Sequence, residues 1–252
     1  MYDLQKASMW KRISAFLFDG ILLGIAAVLF AWLLSVALNF DGHYAPLNES
    51  YAAYGEAYGV NFSMSLSEYE NLTEAELENV NAAYTALGAD EKAVYAYNMV
   101  IQLTLTITSL GLLLAFIVME FTVPMLFGNG QTLGKKIFGI GLMHTNGVRI
   151  KPVTLFIRTI LGKYAIETMV PVLILVMIYF GSIGIVGTLV LGLILLTQVI
   201  LLISTHTNSM IHDVLAKTVT VDYASQMIFD TYEDLIAYKQ KEHAEKVASQ
   251  PY

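Results

Sequence analysis

The amino-acid sequence predicts an all-α membrane protein, a bundle of four transmembrane helices with a mostly helical extracellular insertion between the first and second. Three observations predict this fold. Hydrophobic residues make up 56% of the chain and charged residues only 14%, far from the composition of a soluble domain. Four apolar stretches approach or exceed the roughly 20 helical residues that cross a hydrocarbon core of about 30 Å. Lysine and arginine are nearly absent from alternate connections between these stretches.

The four predicted spans cover residues 13–38, 97–127, 164–180 and 185–204. The third is the shortest and contains Glu167 and Pro171. A glycine-containing stretch at 181–184 separates it from the fourth and predicts a tight turn. The alternative is one uncharged span over 168–202, but no bilayer accommodates a helix of that length without a break.

The basic residues predict the orientation. Of the 14 lysines and arginines, only Lys92 lies within 40–96 and none lies within 181–184. The positive-inside rule therefore places both termini and the 128–167 loop in the cytoplasm. Ten of the 21 acidic residues fall between Asp41 and Glu91, on the outer side. A cleavable signal peptide is a weaker interpretation of the N-terminus, because the apolar run is longer than a typical signal sequence and Asp19 interrupts it.

This pattern divides the chain into four parts: a cytoplasmic lead with the first span (1–39), an extracytoplasmic insertion (40–96), a membrane core (97–222) and a cytoplasmic tail helix (223–252). Capping boxes at Ser67/Glu70 and Thr73/Glu76 predict helix in the second half of the insertion. Asp90-Glu91 is a candidate start for a helix that continues into the second span. The insertion is rich in tyrosine. These side chains are better explained by the packing of a small cap over the membrane helices than by a ligand-binding patch.

Residues 152–163 alternate apolar and polar side chains, which predicts an amphipathic segment at the inner interface. Arg158 and Lys163 are expected to extend toward lipid headgroups, and the spacing of Lys163 and Glu167 suits an ion pair within the helix. In the tail, Ile228, Tyr232 and Leu235 are expected to form one stripe of a solvated helix.

Several kinds of chemistry are not predicted. The chain has no cysteine, which excludes disulfides and thiolate metal sites. Residues 129–136 lack the glycine and hydroxyl positions of a phosphate-binding loop, so Gly130 and Gly134 are expected to form a turn that two lysines hold at the membrane surface. His206 and His212 do not have the spacing of a zinc site. We therefore expect no enzymatic activity, no cofactor, no metal and no nucleic-acid partner.

Besides Glu167, four ionisable residues lie inside the apolar stretches or close to their predicted inner ends: Arg12, Asp19, Glu120 and Asp213. Charges at such positions are costly and usually pair with one another or mark an ion path. All four are predicted at similar depth near the cytoplasmic side, so the three acids are expected to share one polar pocket. Arg12 or Arg158 would supply the counter-charge, and His212 would support Asp213. An Arg–Asp network that only fixes helix ends is the alternative.

The pattern resembles the RDD family of bacterial membrane proteins, named for one arginine and two aspartates, which fall here on Arg12, Asp19 and Asp213. Further family motifs are a Gly-Gln-Thr-x-Gly-Lys signature with Glu120 about ten residues before it, and Thr218 five residues after Asp213. In the signature the matching residues are Gly130, Gln131, Thr132, Gly134 and Lys135. The resemblance implies a multi-pass protein of the bacterial plasma membrane. Members have been proposed as transporters, and sodium/proton exchange has been attributed to at least one. The 40–96 insertion departs from the family pattern.

Two functional hypotheses follow. The first is a secondary transporter that exchanges monovalent cations for protons at Asp19, Glu120 and Asp213, because clustered buried carboxylates raise one another's proton affinity. Four spans are few for alternating access, so a homodimer in the lipid bilayer is expected. The second is a membrane scaffold or accessory subunit that binds a partner through the outer cap or the tail.

Overall fold

The computed structural model describes residues 4–248, most of which are helical. Four helices in it are long and apolar enough to cross a membrane, and we call them spans one to four: Met9–Ala37, Glu91–Leu126, Pro152–Tyr179 and Gly184–Ser204. The extreme ends of the predicted lead and tail, residues 1–3 and 249–252, lie outside the described residues. The predicted number of apolar spans is therefore confirmed.

Span one is a single helix, α1 (Met9–Ala37). Span two is built from α5 (Glu91–Phe116), a π-helical segment π1 (Ile117–Thr122) and α6 (Val123–Leu126). The side chain of Asp90 accepts a hydrogen bond from the backbone N–H of Lys92 at 2.9 Å. This satisfies one of the free N–H groups at the start of the helix, so the predicted start of span two at Asp90-Glu91 is confirmed.

Span three begins much earlier than expected. It consists of α8 (Pro152–Phe156), a second π-helical segment π2 (Ile157–Met169) and α9 (Val170–Tyr179). The prediction of a separate amphipathic segment at the interface over 152–163 is wrong, because this stretch continues directly into the span. The polar side chains that suggested an interface lie inside the protein instead, where Arg158 is only 2% exposed.

Both π-helical segments have hydrogen bonds that reach back five residues. At the end of π1 the N–H of Val123 donates to the carbonyl of Val118, and at the end of π2 the N–H of Val170 donates to Ala165. Thr168 adds a side-chain bond of the same reach, 2.8 Å from its hydroxyl to the carbonyl of Lys163. Each π turn therefore contains more residues than an α-helical turn.

Spans three and four are separated by a turn, as expected. The chain leaves helical structure after Tyr179 and resumes in α10 (Gly184–Ser204). Gly181 and Gly184 have φ values of +69° and +41°, a region that side chains with a Cβ atom rarely occupy. The alternative of one unbroken span over 168–202 is therefore wrong.

A small antiparallel sheet is the main departure from the all-α prediction. Strand β1 (Ile140–His144) pairs with β2 (Thr218–Asp222), with Ile140 opposite Asp222 and His144 opposite Thr218. Lys6 adds a single bridge to Val221. Short helices stand beside the strands in the chain, α7 (Leu133–Ile137) before β1 and α11 (Ile211–Ala216) before β2. The strands pair residues about 80 positions apart, which no local pattern reports.

The insertion contains α2 (Phe40–Tyr58), α3 (Leu66–Glu70) and α4 (Glu74–Ala89). The capping box at Thr73/Glu76 is confirmed, whereas the one predicted at Ser67/Glu70 is wrong. Ser65 and Glu68 form that cap, because α3 begins at Leu66 and leaves Ser67 inside the helix. Aromatic rings of the insertion pack on one another, with the centroids of Tyr51 and Phe62 5.1 Å apart.

The tail helix begins later than predicted. Helix α12 (Tyr232–Ala248) leaves Ile228 outside it, packed beside the sheet. The expected stripe of Ile228, Tyr232 and Leu235 on one helix is therefore wrong. Leu235 is buried with Val148 and Phe229, so the tail helix has one side chain in a hydrophobic cluster.

The chain separates into two compact units. The charged unit contains the described residues up to Ala27 and those from Leu113 onward, and the insertion unit is Val28–Leu112. Because α1 and α5 each contribute residues to both, the division runs within helices. All of the predicted site residues belong to the charged unit.

Candidate functional site

The predicted ionisable residues come together in the charged unit around one cavity of about 200 Å³. Arg12 and Asp19 reach it from α1, Glu120 from π1, Arg158 from π2, and His212 and Asp213 from α11. Lys135 and Lys163 also line it. The remaining walls are mainly apolar: Met9, Ile13, Ala15, Phe16, Ile140, Leu202 and Met210. Opposite charges from separate parts of the chain therefore share one small space.

Asp19 is held by the start of helix α7. Its Oδ1 accepts a 2.7 Å hydrogen bond from the N–H of Gly134, and its Oδ2 accepts one from the hydroxyl of Thr132. A Cβ atom on Gly134 would stand only 2.6 Å from the carbonyl oxygen of Ala15. Gly134 is therefore required for close packing of α7 on α1. The prediction that Gly134 forms a turn is wrong, although Gly130, with φ +67°, does turn the chain.

Glu120 and Lys163 form a buried ion pair between spans two and three. The Nζ of Lys163 lies 2.6 Å from Oε2 of Glu120, and both side chains are mostly buried. The hydroxyl of Thr159 donates a 3.0 Å bond to the backbone carbonyl of Glu120. This carbonyl belongs to π1 and the hydroxyl to π2, so the two π-helical segments are in direct contact at the charged site.

Asp213 binds Arg158. The Nε and one terminal nitrogen of the guanidinium donate to Oδ1 of Asp213 at 3.0 and 2.9 Å. The hydroxyl of Thr218 donates to the same oxygen at 3.1 Å, and Arg12 approaches Oδ2 at 3.9 Å. Burial disfavours the charged carboxylate, but Arg158, His212 and Arg12 together outweigh burial and hold the pKa of Asp213 well below its usual range.

His212 connects α11 with span three. Its Nδ1 lies 2.7 Å from Oε2 of Glu167, while its Nε2 is 3.5 Å from Oδ2 of Asp213. The backbone N–H of His212 also donates to Glu167 at 2.9 Å. Burial lowers the pKa of His212, although the neighbouring carboxylates oppose this. The sequence paired Asp213 with His212 but missed Glu167 as the closer partner.

The π-helix explains why two predictions about span three are wrong. In an α-helix, Lys163 and Glu167 would point about 140° and about 180° away from Arg158. A π-helix, with its i→i+5 bonds, has about four and a half residues per turn, which brings all three within about 40° of one face. Arg158 and Lys163 therefore turn to partners inside the protein rather than to headgroups, and Lys163 pairs with Glu120 rather than with Glu167.

For Lys135, the structure differs most from the role predicted from the sequence. Lys135 was expected to hold the chain at the membrane surface, yet it is 9% exposed and lines the cavity. Burial first, and then the positive charges of Arg158 and Lys163, lower the pKa of Lys135 to about 7. Lys136 does lie outside, with its Nζ 3.9 Å from the centre of the Phe127 ring. The position of Lys135 inside a family motif was the only sequence signal for a role in the site. The fold is needed to show that Lys135 is buried and Lys136 is exposed.

The remaining motif residues support the site. Gln131 is buried, and its side-chain amide donates a 2.6 Å bond to the carbonyl of Ile140, where β1 begins. Lys217 adopts a left-handed conformation with φ +51° at the end of α11. It turns the chain so that Thr218 reaches back to Asp213. The spacing between Asp213 and Thr218 therefore allows a residue just after the short helix α11 to bond to an acid in the first turn of that helix.

The model of the RDD family matches residues 6–217, most of the chain. The protein belongs to the RDD family. No curated protein and no solved structure matches the chain. The residues for which the family is named here, Arg12, Asp19 and Asp213, are among those that line the cavity.

The charges of this RDD protein's cavity nearly cancel. Three carboxylates face three bases other than Lys135: Asp19, Glu120 and Asp213 against Arg12, Arg158 and Lys163. Lys135 is a fourth base that lines the same cavity.

Proposed function

We propose that this RDD protein is a secondary transporter that exchanges a monovalent cation for a proton, with the charged cavity as the exchange site. The observation that carries the proposal is the meeting of Asp19, Glu120 and Asp213, from three separate elements, at one cavity. Ionisable groups inside a membrane protein are costly to maintain, and they commonly mark ion and proton pathways.

The contacts of the three acids assign them different tasks. Asp213 has a pKa held well below its usual range by Arg158, so it stays charged at physiological pH and fixes the local field. Glu120 accepts a hydrogen bond from Lys163 on one carboxylate oxygen and lines the cavity. We propose that Glu120 and Asp19 supply the negative field that draws a cation into the cavity. The three acids therefore have different roles in this proposal, whereas the sequence alone suggested the same exchange role for each.

A homodimer is part of the proposal. Alternating access in known transporters rests on two repeats that move relative to each other, and four spans in one chain are few for this. Two copies would supply the second half. We further propose that the protein lies in the bacterial plasma membrane with both termini in the cytoplasm, which the distribution of basic residues supports.

The direct test is flux through purified protein in proteoliposomes that enclose a pH-sensitive dye. An inward gradient of Na⁺ or K⁺ is expected to drive proton efflux. Glu120→Gln should slow this exchange at least about tenfold, as expected when one ionic interaction worth about 1.4 kcal/mol is lost. Glu78→Gln, an exposed position in the insertion, is the matched control and should exchange normally. Wild-type vesicles that move neither cation nor proton would refute the proposal.

A scaffold role is the second candidate, and one observation favours it. Glu120 and Asp213 each already have a basic partner within 3.0 Å, as in a network that only joins helices. Removing residues 43–90 would separate the two functions. If the insertion recruits a partner, the deletion abolishes co-purification of that partner while the remaining helices stay folded. Retained co-purification, or the absence of any specific partner for the full chain, would remove this candidate.

A further inference from the structure

Lys135 occupies an unusual position among the bases of the cavity. Arg158 and Lys163 each bind a carboxylate within 3.0 Å, and Arg12 lies 3.9 Å from Asp213. Among residues 4–248, no carboxylate lies within 4.0 Å of the Lys135 ammonium group, although the side chain lines the cavity. A buried ammonium group without a close partner is much less stable than a paired one.

Lys135 is also positioned rigidly. Its backbone N–H donates at 3.3 Å to the hydroxyl of Thr132, the same hydroxyl that donates to Asp19. The neighbouring Gly134 holds the other oxygen of Asp19. The start of α7 thus ties the backbone of Lys135 to the carboxylate of Asp19. The charges of Lys135 and Asp19 also interact electrostatically.

We propose that Lys135 is the proton-carrying group of the exchange, and that its ammonium group and the transported cation exclude each other from the cavity. This inference rests on the proposed function and names the residue that couples the two ions. When the cation enters, the proton leaves the Nζ of Lys135 for solvent and the neutral amine remains. When the cation leaves, the amine takes up a proton. The charge of the site is the same in both loaded states.

Electrostatics make the two states mutually exclusive. Four elements contribute charged groups to the cavity that Lys135 lines: Arg12 and Asp19 on α1, Glu120 on π1, Arg158 and Lys163 on π2, and His212 and Asp213 on α11. With Lys135 neutral, the three carboxylates and the three other bases balance. One additional positive charge gives these groups a net charge of one, whereas two additional charges would repel each other at short range in a medium of low dielectric.

The pH range supports this assignment. Burial and the neighbouring bases lower the pKa of Lys135 to about 7. The group therefore changes charge within the physiological range, as a proton carrier must. Asp213 does not, because Arg158 holds the pKa of Asp213 well below its usual range.

The first experiment measures proton release. Purified wild-type protein in weakly buffered detergent receives NaCl or KCl, with choline chloride as the control for ionic strength. At saturating concentration, binding of the transported cation should release close to one proton per chain at pH 5, about half a proton at pH 7 and almost none at pH 9, because only a protonated amine has a proton to lose. The apparent Kd for the cation should rise about tenfold for each pH unit below 7, since one proton is displaced for each ion bound.

Three variants then identify the group. Lys135→Met removes the titratable amine, so cation binding should persist, become independent of pH between 5 and 9, and release no proton. Lys135→Arg keeps a permanent charge and should abolish cation binding at every pH. Lys136→Met is the matched control, because the Lys136 side chain lies against Phe127, and it should behave as wild type.

The outcomes separate this inference from the function on which it rests. If wild-type vesicles exchange cations for protons and Lys135→Met retains the same proton release, the assignment to Lys135 is wrong while the exchange function stands. If the wild type binds no cation, both fail. Should Lys135→Met not fold, wild-type proton release decides alone, and its absence between pH 6 and pH 8 overturns the proposal.

Discussion

The acids of the insertion unit and those of the cavity in the charged unit differ in both exposure and partners. In the insertion unit, nine of the ten acids between Asp41 and Glu91 are exposed, and Asp90 is half-buried. Their structural contacts are mostly local, as in the bond from the Ser65 N–H to Glu68 three residues later. In the charged unit the three acids of the cavity are buried and bind groups that are distant in sequence, 55 residues away for Asp213 and 115 for the Asp19–Gly134 bond.

This difference is energetic as well as geometric. An exposed charge loses little when its neighbour is removed, because water replaces the contact. A buried charge loses a partner that nothing else replaces. The insertion unit should therefore tolerate changes of its acids, whereas the charged unit should respond strongly to single substitutions. Four predictions test this contrast, in order of decreasing effect.

The largest effect is expected from Arg158→Met. It leaves Asp213 buried without its principal partner, and breaking a buried ion pair in this way typically costs about 3–5 kcal/mol of unfolding free energy. The measurement is thermal unfolding of the purified protein in detergent. The double variant Arg158→Met/Asp213→Asn removes the unpaired charge and should recover part of the loss. Equal losses in the single and double variants would show that charge pairing is not the cause.

Lys135→Met should increase the free energy of unfolding rather than decrease it, and the size of the increase should depend on pH. The pKa of Lys135 is lowered to about 7 in the folded protein, so between pH 7 and about 10 the unfolded chain binds more protons than the folded one. On this account wild-type stability rises with pH across that window. The variant should be more stable than wild type by a few kcal/mol at pH 7 and below, with the gain shrinking toward pH 10. Unfolding curves at pH 6, 8 and 10 check this. A gain that does not change with pH would contradict it.

Gly134→Ala should lower stability by about 1–3 kcal/mol, the usual cost of forcing an extra carbon into a packed region. The new Cβ atom would meet the carbonyl of Ala15 at 2.6 Å and the carboxyl of Asp19 at 2.9 Å. Gly20→Ala on α1 is the control, because no atom lies within 4 Å of its added Cβ. Thermal unfolding of both variants compares them. If Gly20→Ala is as harmful as Gly134→Ala, the packing explanation fails.

The smallest effect is expected in the insertion unit. Thr73→Ala removes the N-cap of α4 and should cost about 1 kcal/mol. Faster amide hydrogen exchange confined to the first turns of α4 would report it. Thr85→Ala on the same helix, where the exposed hydroxyl bonds only the carbonyl of Asn81, should leave exchange at the start of α4 unchanged. An effect that spreads through the charged unit would contradict the contrast between the two units.

The sequence alone determined the features that depend on neighbouring residues. Apolar run length predicted four spans, the Thr73/Glu76 box predicted the start of α4, and the glycines at 181–184 predicted the turn. The family also followed from motif residues in order along the chain. These features can be predicted because hydrophobic length, caps and turns act over a few residues.

Only the tertiary structure decided the partners of the buried charges. Two π-helical segments changed the face on which Arg158, Lys163 and Glu167 lie, and an α-helical reading of their spacing separated them. The pairing of β1 with β2, the burial of Lys135 and its difference from Lys136 all depend on contacts between distant parts of the chain. The physical reason is that a buried charge must find a partner wherever the fold provides one, and that choice is made in space rather than along the sequence.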